Sequence, residues 1–215
     1  LVNVDEIIVP SDASFCGNDI ALLVLKNNSV TKDMEFLIPR VDEQLRAGET
    51  YDIVGYGKTS SNSQDSGQRR RKNNLNILCS GLDCNASNVI KVNEWRGQTS
   101  ACFGDSGGPA LDHLGRVIGV TSRVATKTCR SLISVDVFKW GDWLSQYVRD
   151  AANQANLPTP DWAQGLPTEN EDTSQNDIPP SNCQHFDYLQ LLSLASSAFL
   201  FRRKKWLASF QRNLR

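Results

Sequence analysis

Short apolar segments separated by turns recur along the first 137 residues of this 215-residue chain, and this spacing limits what the chain can fold into. Segments of three to seven residues are too short for typical helices but suit strands. Their regular alternation with Gly, Pro, Asn, Asp and Ser predicts an all-β protein built from antiparallel barrels. The predicted strand segments are Ile7–Val9, Ile20–Leu25, Tyr51–Gly57, Val89–Val92, Pro109–Leu111, Val117–Ser122 and Leu132–Val137.

The pattern changes at Val137, after which apolar residues recur at helical spacing as far as Val148. This predicts an amphipathic helix over 137–150 that closes the domain. Residues 153–182 are rich in Asn, Pro, Asp, Glu, Gln, Ser and Thr, a composition typical of a disordered linker. We therefore predict a folded domain over 1–152, a linker over 153–186, and an apolar segment with a basic tail over 187–215.

The apolar part of that tail, Leu189–Phe201, has 13 residues and is followed by the basic run Arg202–Lys205. A membrane-spanning helix needs about 20 apolar residues, so this segment is short for a span. The order of linker, apolar patch and basic stop resembles bacterial sorting tails that attach proteins to the cell surface. An amphipathic helix that packs on a partner or on the membrane surface is the alternative, and both interpretations stay open.

Charge and cysteine content narrow the possible partners. The 23 basic and 24 acidic residues give a net charge of −1, so we predict no nucleic-acid partner. The basic run Arg69–Lys72 falls in a predicted loop, 60–74, and is interpreted as solvated surface without a binding role. The six cysteines indicate disulfides and secretion, although six thiols allow 15 pairings. With two histidines and no paired ligand spacing, neither a metal site nor a cofactor is predicted.

The segment Cys102–Pro109 reads Cys-Phe-Gly-Asp-Ser-Gly-Gly-Pro and places a serine between glycines. A serine hydroxyl becomes an effective nucleophile only beside a general base, and its reaction needs backbone N–H donors for the oxyanion that forms. Glycines leave room for a substrate carbonyl to approach such donors. These eight residues resemble the nucleophile motif of the chymotrypsin/trypsin-like serine proteases.

That resemblance implies roles for residues in two separate segments of the chain. Ser106 matches the nucleophile, and the N–H groups of Gly104 and Ser106 match the oxyanion hole. The segment Gly17–Leu23 resembles the family segment around the triad aspartate, which makes Asp19, 87 positions before Ser106, the residue that orients the histidine. Asp105 matches the carboxylate that pairs with the α-amino group released by zymogen cleavage.

The resemblance also predicts a specificity pocket. Ser100 matches the floor of the pocket, and its lack of charge argues against Lys or Arg at the cleavage site. Ser122–Arg123–Val124 resembles the substrate-binding segment, with Val124 in place of a glycine, as in elastases. Small or medium apolar side chains are the expected preference, and Ser122 is expected to hydrogen-bond Asp19.

One disulfide follows from the same family pattern and a second from close spacing in the sequence. Cys102 and Cys129 match a pair beneath the pocket, and Cys79 with Cys84 suits a tight local bridge. Cys16 is expected to pair with a cysteine outside this chain, and the role of Cys183 is open.

The histidine of the triad is not in its expected place. Family order requires it before Asp19, whereas His113 and His185 both follow Ser106. Because the chain begins at Leu1 without a methionine or a signal segment, we expect that an N-terminal part carrying the histidine is missing. The chain alone is then expected to be nearly inactive.

The sequence thus predicts an all-β fold of two antiparallel Greek-key barrels, the first partial, with a C-terminal helix, a disordered linker and a short apolar tail. The predicted function is that of a secreted or cell-surface-attached serine endopeptidase that cleaves protein or peptide substrates through an acyl-enzyme at Ser106. One alternative is a non-catalytic homologue that binds ligands in the same cleft. Another is a surface anchor that carries a passive domain.

Overall fold

The computed structural model describes residues 3–11, 15–26, 35–84, 89–98, 101–124, 129–165 and 199–202. These residues form nine strands, two helices and three 3-10 turns. The strands are β1 Val4–Ile8, β2 Leu22–Leu25, β3 Thr50–Gly55, β4 Arg70–Ser80, β5 Glu94–Gln98, β6 Pro109–Leu111, β7 Val117–Val124, β8 Ser131–Asp136 and β9 Phe199–Arg202. The helices are α1 Phe15–Asn18 and α2 Gly141–Ala155, and the 3-10 turns are Gly81–Asp83, Phe138–Trp140 and Asp161–Ala163.

Six strands close into an antiparallel barrel in the order β3-β4-β5-β8-β7-β6. The barrel closes where β3 meets β6, with Ile53 opposite Ala110. Closure removes the free edges that an open sheet would expose. The all-β class, the barrel and the C-terminal helix are therefore confirmed.

The barrel interior is filled around two aromatic rings. Trp95 and Tyr51 are 0% and 1% exposed, and their rings pack edge to face with centroids 4.9 Å apart. A Cβ at Gly97 would lie 2.2 Å from the Tyr51 hydroxyl, and one at Gly119 would lie 2.7 Å from Trp95 Nε1. Glycine at both positions is therefore required by packing, since larger side chains would displace the rings.

A second sheet has the order β1-β2-β9. Strand β2 is buried at every position, whereas most of β1 is exposed. Strand β9, four residues of the predicted tail, pairs in parallel with β2, with Leu22 opposite Phe199. An amphipathic helix is one of the two interpretations of this tail, whereas these four residues form a strand. The rest of the predicted linker and tail from residue 166 onward lies outside the described residues, and within the described part no helix is long and apolar enough to cross a bilayer.

Three predicted segments differ from the structure in their bounds or type. The predicted loop 60–74 ends early, because β4 begins at Arg70 and pairs with β3, and Arg71 forms an ion pair with Asp52 at 2.5 Å. The folded region also continues beyond residue 152. Ala163 is fully buried and accepts a hydrogen bond from Arg149 of α2 at 3.0 Å. Segment 89–92 is a turn, and the strand follows it at β5.

A buried carboxylate ends β8 and makes the stability of the fold depend on pH. Asp136 is 0% exposed, and its oxygens accept hydrogen bonds from Phe138 N at 3.0 Å and Ser80 Oγ at 3.4 Å. Burial raises the pKa of Asp136 from 3.8 to about 6. The folded state therefore binds this proton more tightly than the unfolded state, so the stabilisation is present below about pH 4 and is lost as the pH rises through about 6.

We expect Asp136→Asn to remove this loss. Relative to the variant, the wild type should lose about 2 kcal/mol of unfolding free energy between pH 4 and pH 7, measured by urea denaturation. Asp52→Asn is the matched control. The Arg71 hydrogen bond lowers the pKa of Asp52, so the Asp52 carboxylate adds to the unfolding free energy as the pH rises, the opposite of Asp136. Identical pH dependence in the wild type and Asp136→Asn would contradict the assignment.

Candidate active site

The segment Cys102–Pro109 folds into two consecutive tight turns before β6. Asp105 N donates to Cys102 O at 3.1 Å, and Gly108 N donates to Asp105 O at 2.9 Å. Gly104 has φ +98°, a conformation that residues with a Cβ rarely adopt, and a Cβ there would lie 3.1 Å from Gly57 Cα. The glycines of the motif therefore set the backbone path around Ser106.

Backbone and side-chain hydrogen bonds join this loop to β7. Gly107 N donates to Thr121 O at 2.7 Å, and Thr121 N donates to Gly108 O at 2.9 Å. Ser106 Oγ donates to Ser122 O at 3.2 Å and remains partly exposed. The serine hydroxyl therefore lies beside Ser122 in a position that solvent can reach.

Asp105 is buried beneath the loop. Its two oxygens accept hydrogen bonds from Gly57 N at 2.7 Å and Cys102 N at 2.8 Å. A Cβ at Gly55 or Gly57 would lie 2.0 Å or 2.6 Å from this carboxylate, so both glycines make room for it. Asp105 thereby links this segment, the serine loop (Cys102–Pro109), to the chain just after β3.

Asp19 lies just before β2 and contacts β7 through Ser122. Ser122 Oγ donates to Asp19 Oδ2 at 2.6 Å, the hydrogen bond that the sequence predicted. Burial raises the pKa of Asp19, and the Ser122 hydrogen bond and the charge of Arg123 partly oppose that rise. Ser122 therefore contacts both Asp19 and Ser106, which are 87 positions apart in the sequence.

The backbone N–H groups of Gly104 and Ser106 donate no hydrogen bond to any residue in the described ranges. Both belong to the turn that carries the serine hydroxyl. Donors arranged in this way can bind a developing oxyanion.

The predicted pocket residues are only partly described. Ser100 lies outside the described residues, whereas Val124 is partly buried and packs against the barrel core. The disulfide Cys102–Cys129 joins the serine loop to the chain that follows β7, and Cys79–Cys84 closes the 3-10 turn after β4. Both predicted pairs are therefore present. Cys16 is disulfide-bonded within this chain as well, so the expectation of a partner outside the chain is wrong.

His113 is exposed in the turn between β6 and β7, after the serine loop rather than before Asp19. His185 lies outside the described residues. Sequence reasoning missed one further feature of the site, the ion pair between Glu94 and Arg123, at 2.6 Å. In the sequence, a lone glutamate at the start of a strand gives no signal that it is buried. The Glu94–Arg123 pair can be recognised only when the fold brings β5 and β7 close together.

A closed six-stranded barrel with a second sheet, a C-terminal helix and a serine loop of this kind defines the chymotrypsin-like fold. The family model named Trypsin matches residues 1–144, and the chain belongs to the trypsin family. Among curated protein sequences, none matches the chain significantly.

Solved structures with the same fold include a mutant of human heparin binding protein and mouse neuropsin, a serine protease expressed in the limbic system of the brain. The first is 17% identical with a TM-score of 0.55, and the alignment covers 69% of this chain and 66% of that one, slightly less than two thirds of its length. Neuropsin is 16% identical with a TM-score of 0.57, and the alignment covers 68% of this chain and 71% of that one. At these identities the likeness establishes the fold alone.

Proposed function

We propose that this chain is the catalytic part of a serine endopeptidase. Ser106 attacks the scissile carbonyl, a covalent acyl-enzyme forms as the amine leaves, and water then hydrolyses the acyl-enzyme. The observation that carries the proposal is the position of Ser122. Its carbonyl accepts the Ser106 hydrogen bond at 3.2 Å, while its hydroxyl donates to Asp19 at 2.6 Å, so one residue contacts both the proposed nucleophile and the proposed orienting acid.

The oxyanion would be held by the N–H groups of Gly104 and Ser106. Each such donor stabilises the transition state by about 3 to 4 kcal/mol in comparable sites. The turn that presents them depends on Asp105, because its carboxylate accepts Cys102 N within the loop and Gly57 N outside it. An α-amino group released by zymogen cleavage would add a charged partner to the same carboxylate.

The general base is proposed to be a histidine that precedes Leu1 in the complete coding sequence. Both histidines of the 215 residues follow Ser106, which is the wrong order for this family. The imidazole N–H would bond to Asp19 Oδ1, which accepts no hydrogen bond from the described residues, while Oδ2 holds Ser122. The chain without those upstream residues is expected to be nearly inactive.

Substrates are proposed to be proteins or peptides with small or medium apolar side chains at the cleavage site. Val124, partly buried against the barrel core, supports a shallow pocket. The disulfides support secretion, since such bonds persist in oxidising compartments. We do not propose attachment to a membrane or cell surface through residues 187–215, since four of these residues pair with β2 as strand β9.

Pre-steady-state kinetics test this proposal. The protein is expressed with the coding sequence that precedes Leu1, activated, and mixed with the p-nitrophenyl ester of an N-acylated alanine. We expect a burst of one equivalent of p-nitrophenol per molecule followed by slower steady turnover, because acylation by an activated ester is faster than hydrolysis of the acyl-enzyme. Folded protein with no burst and no turnover would instead favour a non-catalytic homologue that binds in the same cleft.

A further inference from the structure

Glu94, the first residue of β5, is 0% exposed and yet carries a carboxylate with four hydrogen-bond donors around it. Oε1 accepts Arg123 Nη1 at 2.6 Å and Gly17 N at 2.8 Å. Oε2 accepts Arg123 Nη2 at 2.9 Å and Lys91 N at 3.0 Å. A buried carboxylate is retained only when it is paired and fully hydrogen-bonded, and each oxygen here accepts two N–H groups.

Arg123, the partner of Glu94, follows Ser122 on β7. Its Nη2 also donates to Val89 O at 2.7 Å, and its Nη1 also approaches Ser122 Oγ at 3.3 Å. The guanidinium is therefore held in one orientation by three acceptor groups. It contacts the same hydroxyl that donates to Asp19.

The other end of the pair reaches the chain before Asp19. Gly17, bound through its N–H to Glu94, is two residues from Asp19 and has φ +94°. A Cβ at Gly17 would lie 3.1 Å from Lys91 Cβ, so the backbone of this segment lies close against the turn before β5. The segment of Asp19 is thus fixed to β5 through Gly17 and to β7 through Ser122.

We propose that Glu94 and Arg123 form a positioning pair, which holds the Asp19 segment against β7 in the geometry that catalysis requires. This inference rests on the proposed function, because Asp19 needs a fixed orientation only if it orients a catalytic base. Neither residue touches a reacting atom; both act through Ser122 and Gly17. An ion pair that only stabilised the fold would not need to contact both Gly17 and Ser122, the two residues that hold Asp19 in place.

Charge gives the pair a second effect on Asp19. Arg123 lowers the pKa of the Asp19 carboxyl, and Glu94 raises it, in addition to the larger rise from burial. Among the described residues, the ionisable residue Lys91 also packs beside this segment, through its Cβ against Gly17. Removal of Arg123 should therefore raise the pKa of Asp19, and removal of the Glu94 charge should lower it.

The test compares Arg123→Met, Arg123→Lys and Glu94→Gln in the protein expressed with its upstream coding sequence. Arg71→Met is the matched control, because Arg71 also forms an ion pair, with Asp52 at 2.5 Å, away from the serine loop. For Arg123→Met we expect kcat to fall by about 10- to 100-fold with less than about a 3-fold change in KM, as misplaced catalytic groups typically give. Arg123→Lys should recover part of the loss, and Arg71→Met should leave kcat unchanged.

A second readout does not depend on turnover. The Asp19 carboxyl is titrated by ¹³C NMR, and its pKa should rise in Arg123→Met and fall in Glu94→Gln. Unchanged kcat together with an unchanged Asp19 titration, with only lower unfolding stability, would overturn the positioning role. If the wild type has no activity, the proposed function fails, while the titrations still decide whether the pair controls Asp19. If Arg123→Met does not fold, Arg123→Lys and Glu94→Gln supply the same comparison.

Discussion

Replacing Ser106 with alanine is expected to lower kcat on a peptide substrate by about 10⁶-fold, because loss of the nucleophile leaves only binding and the oxyanion donors. The fold should tolerate the change. Among the described residues, Ser106 Oγ makes one hydrogen bond, to Ser122 O at 3.2 Å, and the loop around it is set by its glycines and by Asp105. The free energy of unfolding should therefore change by less than about 1 kcal/mol.

A matched control is Ser63→Ala. Ser63 Oγ donates to Ser60 O at 3.1 Å and to Asp65 Oδ1 at 2.6 Å in an exposed loop. Among the described residues it thus has more hydrogen bonds than Ser106, and none of them is to the serine loop. The measurement is kcat for steady-state hydrolysis of a peptide substrate by the wild type, Ser106→Ala and Ser63→Ala. If Ser106→Ala retained a tenth of wild-type kcat, Ser106 would not be the nucleophile.

The second large effect is expected for Asp19→Asn, which should lower kcat by about 10⁴-fold. The amide has nearly the same shape, but its NH₂ group cannot accept the imidazole N–H or stabilise the imidazolium. The Ser122 hydroxyl, 2.6 Å from Asp19 Oδ2, can still bond to the amide group. Orientation of the segment is thus kept while the charge is lost.

Stability should move in the other direction from activity. Because burial raises the pKa of Asp19, its charged form is disfavoured in the folded state, and the neutral amide should leave the unfolding free energy unchanged or higher. Urea denaturation and kcat measured on the same preparations test both expectations. Asp52→Asn, the same change on the barrel surface, should leave kcat unaffected, and a loss of kcat in proportion to stability in both variants would contradict the catalytic role.

Local patterns predicted much of this molecule. Short apolar segments located β2, β3, β6, β7 and β8, since strand length and turn residues are local properties. The eight residues around Ser106 and the segment around Asp19 predicted a loop and a strand start that the structure joins through Ser122. The hydrogen bond from Ser122 to Asp19 was predictable because it follows the family pattern.

Features that depend on distant partners were not predictable in this way. The basic run at Arg70 suggested a solvated loop, but pairing with β3 and acidic neighbours at Asp52 and Asp65 make it the start of β4. Glu94 gave no sign of its burial, because Arg123, which pairs with it, is 29 positions away. Strand β9 pairs with β2 across more than 170 residues, and no local pattern specifies such a contact.

The most direct test of Ser106 as an activated nucleophile is covalent labelling of the folded, activated protein with a fluorophosphonate, followed by mass spectrometry of its peptides. Such probes react with a serine only when a base and an oxyanion hole activate it. We expect a single adduct on Ser106 that is absent after denaturation and absent in Ser106→Ala. Folded protein that takes up no label, or a label that lies on another serine, would contradict it.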